Sequence, residues 1–256
     1  MSKELEAAMR AAREAGEILL EGFDRVHTVE MKSRRDLLTE MDTRAEERII
    51  SILSEKFPDH SIYAEESGRE MRDSEYMWVV DPLDGTTNYS VRNPFFGVSI
   101  ALLKEGEPWL GVVYVPFTKE MFHAEKGKGA YLNGREIHVS NESDISKTLL
   151  TYCHNNDRRN VRRITEVFGR IKPLPIDFNR MRAGALELAF VAAGRLGCYL
   201  TCGFQLYDVA AGVLLVREAG GKVTDFAGNE WNPESNDLLA TNGRIHARIL
   251  ELLKGI

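Results

Sequence analysis

Cysteine is scarce: Cys153, Cys198 and Cys202 are the only three in 256 residues. An odd, low count excludes a disulfide framework and fits a reducing compartment. Cys198 and Cys202 have helical i, i+4 spacing but no histidine or further cysteine near them, so they read as small buried apolar residues rather than a metal or redox site. Long apolar runs are missing as well, and none approaches the ~20 residues of a membrane span. The opening MSKELEAAMR carries charges of both signs, unlike a signal peptide. Positive charge is in deficit. The formal net charge of −6 argues against nucleic acid or an anionic membrane as a partner. These absences predict a soluble, cytoplasmic protein. No internal repeat or low-complexity linker interrupts the chain.

What is present is ordinary globular composition, 43% hydrophobic and 28% charged. The length is near the point where a single core stops growing, so one compact unit or two fused halves both fit. Leu5, Ala8, Met9, Ala12, Ala15, Ile18 and Leu19 recur at helical spacing and predict an amphipathic helix over residues 3–23. TEMDTRAEERIISILSEKFPDH predicts a second helix, stopped by Pro58. KSRRD (32–36), before it, is expected as a loop, with Lys32 a candidate for the water shell of a bound ion.

SIYAEES and YMWVV read as short strands with acids at their ends. From Gly97 to Val139 short β-type segments alternate with KEGEP, GKG and NG, the signature of an antiparallel meander. KGKGAYLNG has its third glycine in the wrong place for a nucleotide-binding loop and reads as a turn. After residue 147 the texture becomes mixed. NVRRITEVFGRI, ALELAFVAAG and YDVAAGVLLVREAGG predict helices, CYLTC, KVTDF and DLLATN predict strands, and the chain closes on a helix. The expected division is an α+β half over 1–147 with an antiparallel sheet, and an α/β half over 148–256.

One stretch carries chemistry: WVVDPLDGTTNY, residues 78–89. Pro82 biases Asp81 toward extended backbone, so the strand is expected to run to Asp81 and then turn. Gly85 permits a tight turn and close approach of a ligand. Asp81 and Asp84 would then converge above the strand end, and the amides of Gly85, Thr86 and Thr87 would face an anion. An Asx turn with a threonine cap would account for the same residues. Glu65, at the end of the preceding strand, and Asp208 and Asp42, near helix starts, are each explained singly as surface or helix-dipole acids. Together they would supply carboxylates where α/β proteins build sites. Carboxylate oxygens are hard ligands that suit Mg²⁺ or Mn²⁺, and magnesium favours phosphate chemistry.

AEES (64–67), WVVDPLDGTTNY and YDVAAGVLLVREAGG (207–221) closely resemble segments of the inositol monophosphatase family, with weaker agreement at DLLTEMD (36–42), GVVYVP, KGKGAYLNG and VAAG. The resemblance implies a layered αβαβα sandwich of the sugar-phosphatase type. It implies Mg²⁺-dependent, lithium-sensitive hydrolysis of small phosphate monoesters, with two or three ions per subunit, in a homodimer. By this resemblance Glu65, Asp81 and the Leu83 carbonyl would hold one ion and Asp81, Asp84 and Asp208 a second, with Glu65 helping a weaker third. The Gly85 and Thr86 amides would receive phosphate. Thr86, bonded to Asp42, would orient the attacking water.

Departures from the family pattern touch the substrate side. Thr201 stands where inositol-specific members carry a glutamate, about seven residues before the helix-opening aspartate. Tyr207 replaces a usual tryptophan, and RMRAGALEL replaces a glycine–serine–alanine stretch. Arg180 and Arg182 fall where leaving-group contacts are expected. Their forks would suit a second phosphate, as in fructose 1,6-bisphosphate, or they make structural ion pairs or dimer contacts. Arg158, Arg159, Arg162 and Arg163 are expected on a solvated helix face. The expected partner is a small phosphorylated polyol or sugar, most simply inositol 1-phosphate. A 3′-phosphoadenosine 5′-phosphate phosphatase is less favoured, because no nucleotide-binding insertion is evident. A macromolecular binding partner, the role of one bacterial relative in transcription, is the alternative from a different class.

Overall fold

The computed structural model describes residues 1–25 and 31–256, with the side chains of Asp24 and of 31–39 outside the described set. Two long helices open the chain, α1 (Lys3–Arg25) and α2 (Met31–Lys56). They are followed by β1 (Ser61–Ala64), β2 (Gly68–Glu70), β3 (Tyr76–Asp84) and the short α3 (Thr86–Ser90). The meander is β4 (Gly97–Lys104), β5 (Glu107–Val115), β6 (Glu120–Glu125), β7 (Ala130–Leu132) and β8 (Arg135–Ile137). Then come β9 (Leu149–His154), α4 (Arg158–Ile171), β10 (Asp177–Asn179), α5 (Gly184–Ala192) and β11 (Cys198–Cys202). Last are α6 (Leu206–Glu218), β12 (Lys222–Thr224), β13 (Asp237–Thr241) and α7 (His246–Leu253).

The strands form an eight-stranded sheet, ordered β2-β1-β3-β4-β5-β6-β7-β8, and a five-stranded sheet, ordered β10-β9-β11-β13-β12. Helices α1 and α2 cover one face of the larger sheet, α5 and α6 lie between the sheets, and α4 and α7 close the outer face of the smaller one. This is the expected αβαβα layering. The larger sheet is mixed rather than wholly antiparallel, because β1 runs parallel to β3. In the smaller sheet β9, β10 and β11 are parallel, and β13 pairs antiparallel with β11 on one side and with the edge strand β12 on the other.

Small residues set the layer spacing. Ala7, Ala8, Ala11, Ala12 and Ala15 are fully buried along α1, which lets that helix lie close on the sheet. On the opposite face, Gly111 of β5 lies under α6: a Cβ there would stand 2.7 Å from the Ala211 carbonyl oxygen and 2.9 Å from its Cα. A Cβ on Gly212 of α6 would likewise run into the Leu188 side chain of α5.

Several sequence expectations change. Helix α2 begins at Met31, so KSRRD falls in its first turns instead of a loop; the Lys32 side chain lies outside the described residues. Asp42 consequently sits well inside α2, where the helix-terminus argument for an acid does not apply. Strand β3 continues past Asp81, through a bulge, to Asp84. The KGKG segment is a hairpin turn as expected. Its Gly127 and Gly129 amides donate to the Glu218 carboxylate at 2.8 and 2.9 Å, so a side chain already occupies the place of an anion. Arg158, Arg159 and Arg162 are exposed on α4, while Arg163 is drawn into a 2.6 Å ion pair with Asp237. Cys198 and Cys202 are buried on β11, and no described helix is long and apolar enough to cross a membrane.

Candidate active site

Parallel pairing of β1 with β3 brings the first acids together. Their register sets Ala64 opposite Val80, so the next residue of each strand, Glu65 and Asp81, emerges at the same sheet end. The Glu65 N–H continues the ladder to the Val80 carbonyl at 3.1 Å. The two carboxyls come close enough for the Glu65 charge to raise the proton affinity of Asp81. Asp81 Oδ1 also accepts from the Leu83 N–H at 3.0 Å, an Asx turn that shapes the bulge.

Beyond the bulge, Asp84 is buried and its Oδ2 accepts from the Leu186 N–H at 3.1 Å, at the opening of α5. Gly85 follows with φ 95°, and a Cβ there would meet the Phe95 carbonyl oxygen at 2.9 Å, so both backbone conformation and space demand glycine. Asp208 arrives from the other side, in the first turn of α6, where its Oδ2 accepts from the Gln205 N–H at 2.6 Å in a capping box. Ser99 of β4, whose hydroxyl donates to the Tyr207 carbonyl at 3.3 Å, ties that turn to the sheet.

Burial raises the proton affinity of each of these acids, and repulsion from neighbouring carboxylates adds to it at Glu65, Asp81 and Asp84. Asp81 is pushed well up, by burial first and then by Glu65, Asp84, Asp208 and Asp42. Glu65 is raised to about 7, chiefly by burial. Asp42 reaches about 8, by burial and by Glu65, Glu66 and Glu46, and its Oδ1 has no hydrogen-bond partner among the described residues. Backbone N–H groups at the start of α5 partly offset the same effect on Asp84.

This donor set fits a hard divalent cation. All the groups are oxygen ligands, they repel one another while charged, and Asp42 Oδ1 is an orphaned acceptor. As the side chains stand, no three Asp, Glu, His or Cys residues among the described residues enclose a common point at ligand spacing. The expected Thr86–Asp42 bond is not formed: Thr86 Oγ1 donates instead to the Leu83 carbonyl, at 3.1 Å.

Asp84, Asp208, Arg182 and Thr201 line one cleft of about 190 Å³, with Cys153, His154, Tyr199 and Phe204 among the other walls. Arg182 is exposed and sits at φ 63°. Arg180 is not among the lining residues; its Nη2 donates to the His154 carbonyl at 2.7 Å. The sequence reading missed two residues that build this wall. Asn88, inside the DGTTNY stretch, donates through Nδ2 to the Phe95 and Met181 carbonyls, both at 2.8 Å, and so holds the arginine loop. Glu187 is fully buried, and its Oε2 accepts from the Ala183 N–H at 3.2 Å. Its only sequence signal is an acid in an otherwise apolar helical run.

The model of the inositol monophosphatase family matches residues 1–256. The protein named Nus factor SuhB from Pasteurella multocida is 40% identical over 259 aligned positions, covering 99% of this chain and 97% of that protein. Its namesake from Escherichia coli K12 is 39% identical over 245, covering 94% and 92%. Among solved structures, the inositol monophosphatase from Anabaena (Nostoc) superposes with a TM-score of 0.89 at 39% identity, covering 98% of this chain and 95% of that one. With the fold, the acid-rich strand ends and the whole-chain match in agreement, this chain belongs to the inositol monophosphatase family.

Proposed function

We propose that the chain is a magnesium-dependent phosphomonoesterase acting on a small phosphorylated polyol or sugar, with inositol 1-phosphate the leading substrate. The supporting observation is the meeting of Glu65, after β1, Asp81 and Asp84, on β3, and Asp208, at the start of α6, within electrostatic range of Asp81. Glu65, Asp81, the Leu83 carbonyl, Asp84 and Asp208 would hold Mg²⁺, with Mn²⁺ a substitute. The bound ions would acidify a water and stabilise the charge of the departing oxygen in an in-line displacement. Gly85 and Thr86 offer backbone N–H groups to the phosphoryl oxygens, in a turn that only glycine can make. Thr86 and Asp42 orient the water, with the unpartnered Asp42 Oδ1 as acceptor. No side-chain nucleophile is needed; the Cys153 thiol is pushed up by burial and is a poor one.

Phosphate release from a panel of monoesters, with Mg²⁺ and with and without lithium, tests the reading. Folded protein that releases phosphate from none of them overturns it.

A bisphosphate substrate is the second reading, alone or as a dual activity. Its support is the pairing of Arg182 on the cleft wall with Thr201 where a glutamate is expected. An anionic leaving group gains from both changes. Comparison of kcat/KM for fructose 1,6-bisphosphate and inositol 1-phosphate separates the two.

The relatives' name, Nus factor, supports a third reading, as a macromolecular binding partner, beside an acidic charge balance that argues against direct nucleic-acid binding. Co-purification of RNA polymerase subunits with both the wild type and an Asp81→Asn variant would favour it; no co-purification with the wild type would overturn it.

A further inference from the structure

Glu46 lies one turn after Asp42 on α2 and is 3% exposed. Both of its carboxylate oxygens are committed to backbone. Oε2 accepts from the Glu66 N–H at 2.8 Å and Oε1 from the Ser67 N–H at 2.7 Å. These amides belong to the turn that immediately follows Glu65. That turn leaves β1 and swings through Gly68, at φ 80°, into β2. Glu65 is therefore pinned on both sides: its own N–H by the ladder to Val80, the next two by Glu46.

A buried carboxylate held only by neutral amides is an unfavourable choice for a mere turn staple. Among the described residues no lysine or arginine pairs with Glu46, and its charge adds to the repulsion felt by Asp42 and Glu65. In return, charge-assisted bonds to two successive amides fix a short turn more firmly than neutral ones. They also join the helix carrying Asp42 to the strand end carrying Glu65.

We propose that Glu46 is a positioning residue: it clamps the turn after Glu65 so that the Glu65 carboxylate faces Asp81, and thereby sets the affinity of the site for a divalent cation. Glu46 itself touches no ion. The proposal rests on the phosphatase reading of the site.

The test is Mn²⁺ binding to the full chain, followed by calorimetry and by Mn²⁺ electron paramagnetic resonance, for the wild type, Glu46→Gln, Glu46→Asp and Glu47→Gln. Glu47 is exposed on the same helix and removes the same charge without the contact. Glu46→Gln is expected to weaken Mn²⁺ at least tenfold, because the amide presents an N–H to one of the two donors. Glu46→Asp should recover part of the loss, and Glu47→Gln should change the affinity less than twofold. In turnover, the Mg²⁺ concentration for half-maximal rate should rise while KM for substrate moves little. Wild-type Mn²⁺ affinity in folded Glu46→Gln overturns the positioning role alone. Equal losses in Glu46→Gln and Glu47→Gln reduce it to a charge effect and also overturn it. Absence of Mn²⁺ binding by the wild type overturns the phosphatase reading, and this one with it.

Discussion

Asp84 Oδ2 stands 3.1 Å from the Leu186 backbone nitrogen, so a carboxylate carried on the larger sheet caps a helix lying between the sheets. The capping residue proper, Ala183, has no side-chain acceptor, which leaves the task to Asp84 and Glu187. One acid thus serves as a proposed ion ligand and as a structural tie between layers.

Asp84→Ala is expected to lose both roles. Removal of a helix cap costs about 1 kcal/mol, within a range of 0.5–2, and urea denaturation of the metal-free protein should show it. Asp84→Asn keeps an acceptor for Leu186 and relieves the repulsion from Asp81, so its metal-free stability should match or exceed the wild type. Neither variant should hydrolyse substrate at more than about a thousandth of the wild-type rate, on the scale of losing a charge-stabilising group.

Metal and pH should act in opposition on stability. Acids whose folded proton affinity is raised favour the folded state at low pH, below the ordinary carboxylate value near 4. That contribution is lost as pH climbs through about 6 for Asp208, about 7 for Glu65 and about 8 for Asp42. Metal-free protein should therefore lose Tm between pH 5 and roughly 8, by the linkage rule. Mg²⁺ should restore it most at the alkaline end, with apparent affinity rising with pH. A Tm shift on adding Mg²⁺ that is the same at every pH would contradict the placement of these acids.

His246, which opens α7 against the smaller sheet, predicts the reverse slope. It is buried between Thr224 and Thr241, whose hydroxyls lie 3.0 and 2.9 Å from its ring nitrogens, and burial pulls its pKa down to about 4. Its contribution is complete above the ordinary histidine value near 6.5 and is lost as pH falls toward 4, at no more than about 1.4 kcal/mol per pH unit. Because the site acids have the opposite sign there, the difference between wild type and His246→Gln isolates it. That difference should shrink as pH drops from 6.5 to 4.5, measured by urea midpoint.

The two arginines should separate cleanly. Arg182→Ala should lower kcat/KM for a bisphosphate at least tenfold more than for inositol 1-phosphate, if the second reading holds. Arg180→Ala removes a 2.7 Å bond to the His154 carbonyl, and it should lower stability while treating the two substrates alike.

Most of the layering was readable in the sequence because its causes are local. The alanine and leucine spacing of α1, the turn glycines of the meander and the acid after each strand act within a few residues. Asp42 was read as a helix-start acid because the apolar periodicity of α2 is weak ahead of Thr39, and only the backbone shows the helix beginning at Met31. Glu46 carries no sequence signal, and Glu187 only that of an acid within an apolar run. Glu46 looks like a surface acid in sequence and owes its meaning to amides that long-range folding brings to it. The adjacency of Glu65 and Asp81 depends on a parallel register that two short strands cannot announce.

Gly111 never approaches substrate, yet it is closed to drift. The smallest possible addition, one methyl group, would press on Ala211 and displace the helix whose opening turn carries Asp208. A neutral-looking change in the middle of a strand would then surface as a misplaced ligand, so tolerance to mutation in this protein should follow the thickness of its layers as much as distance from the chemistry.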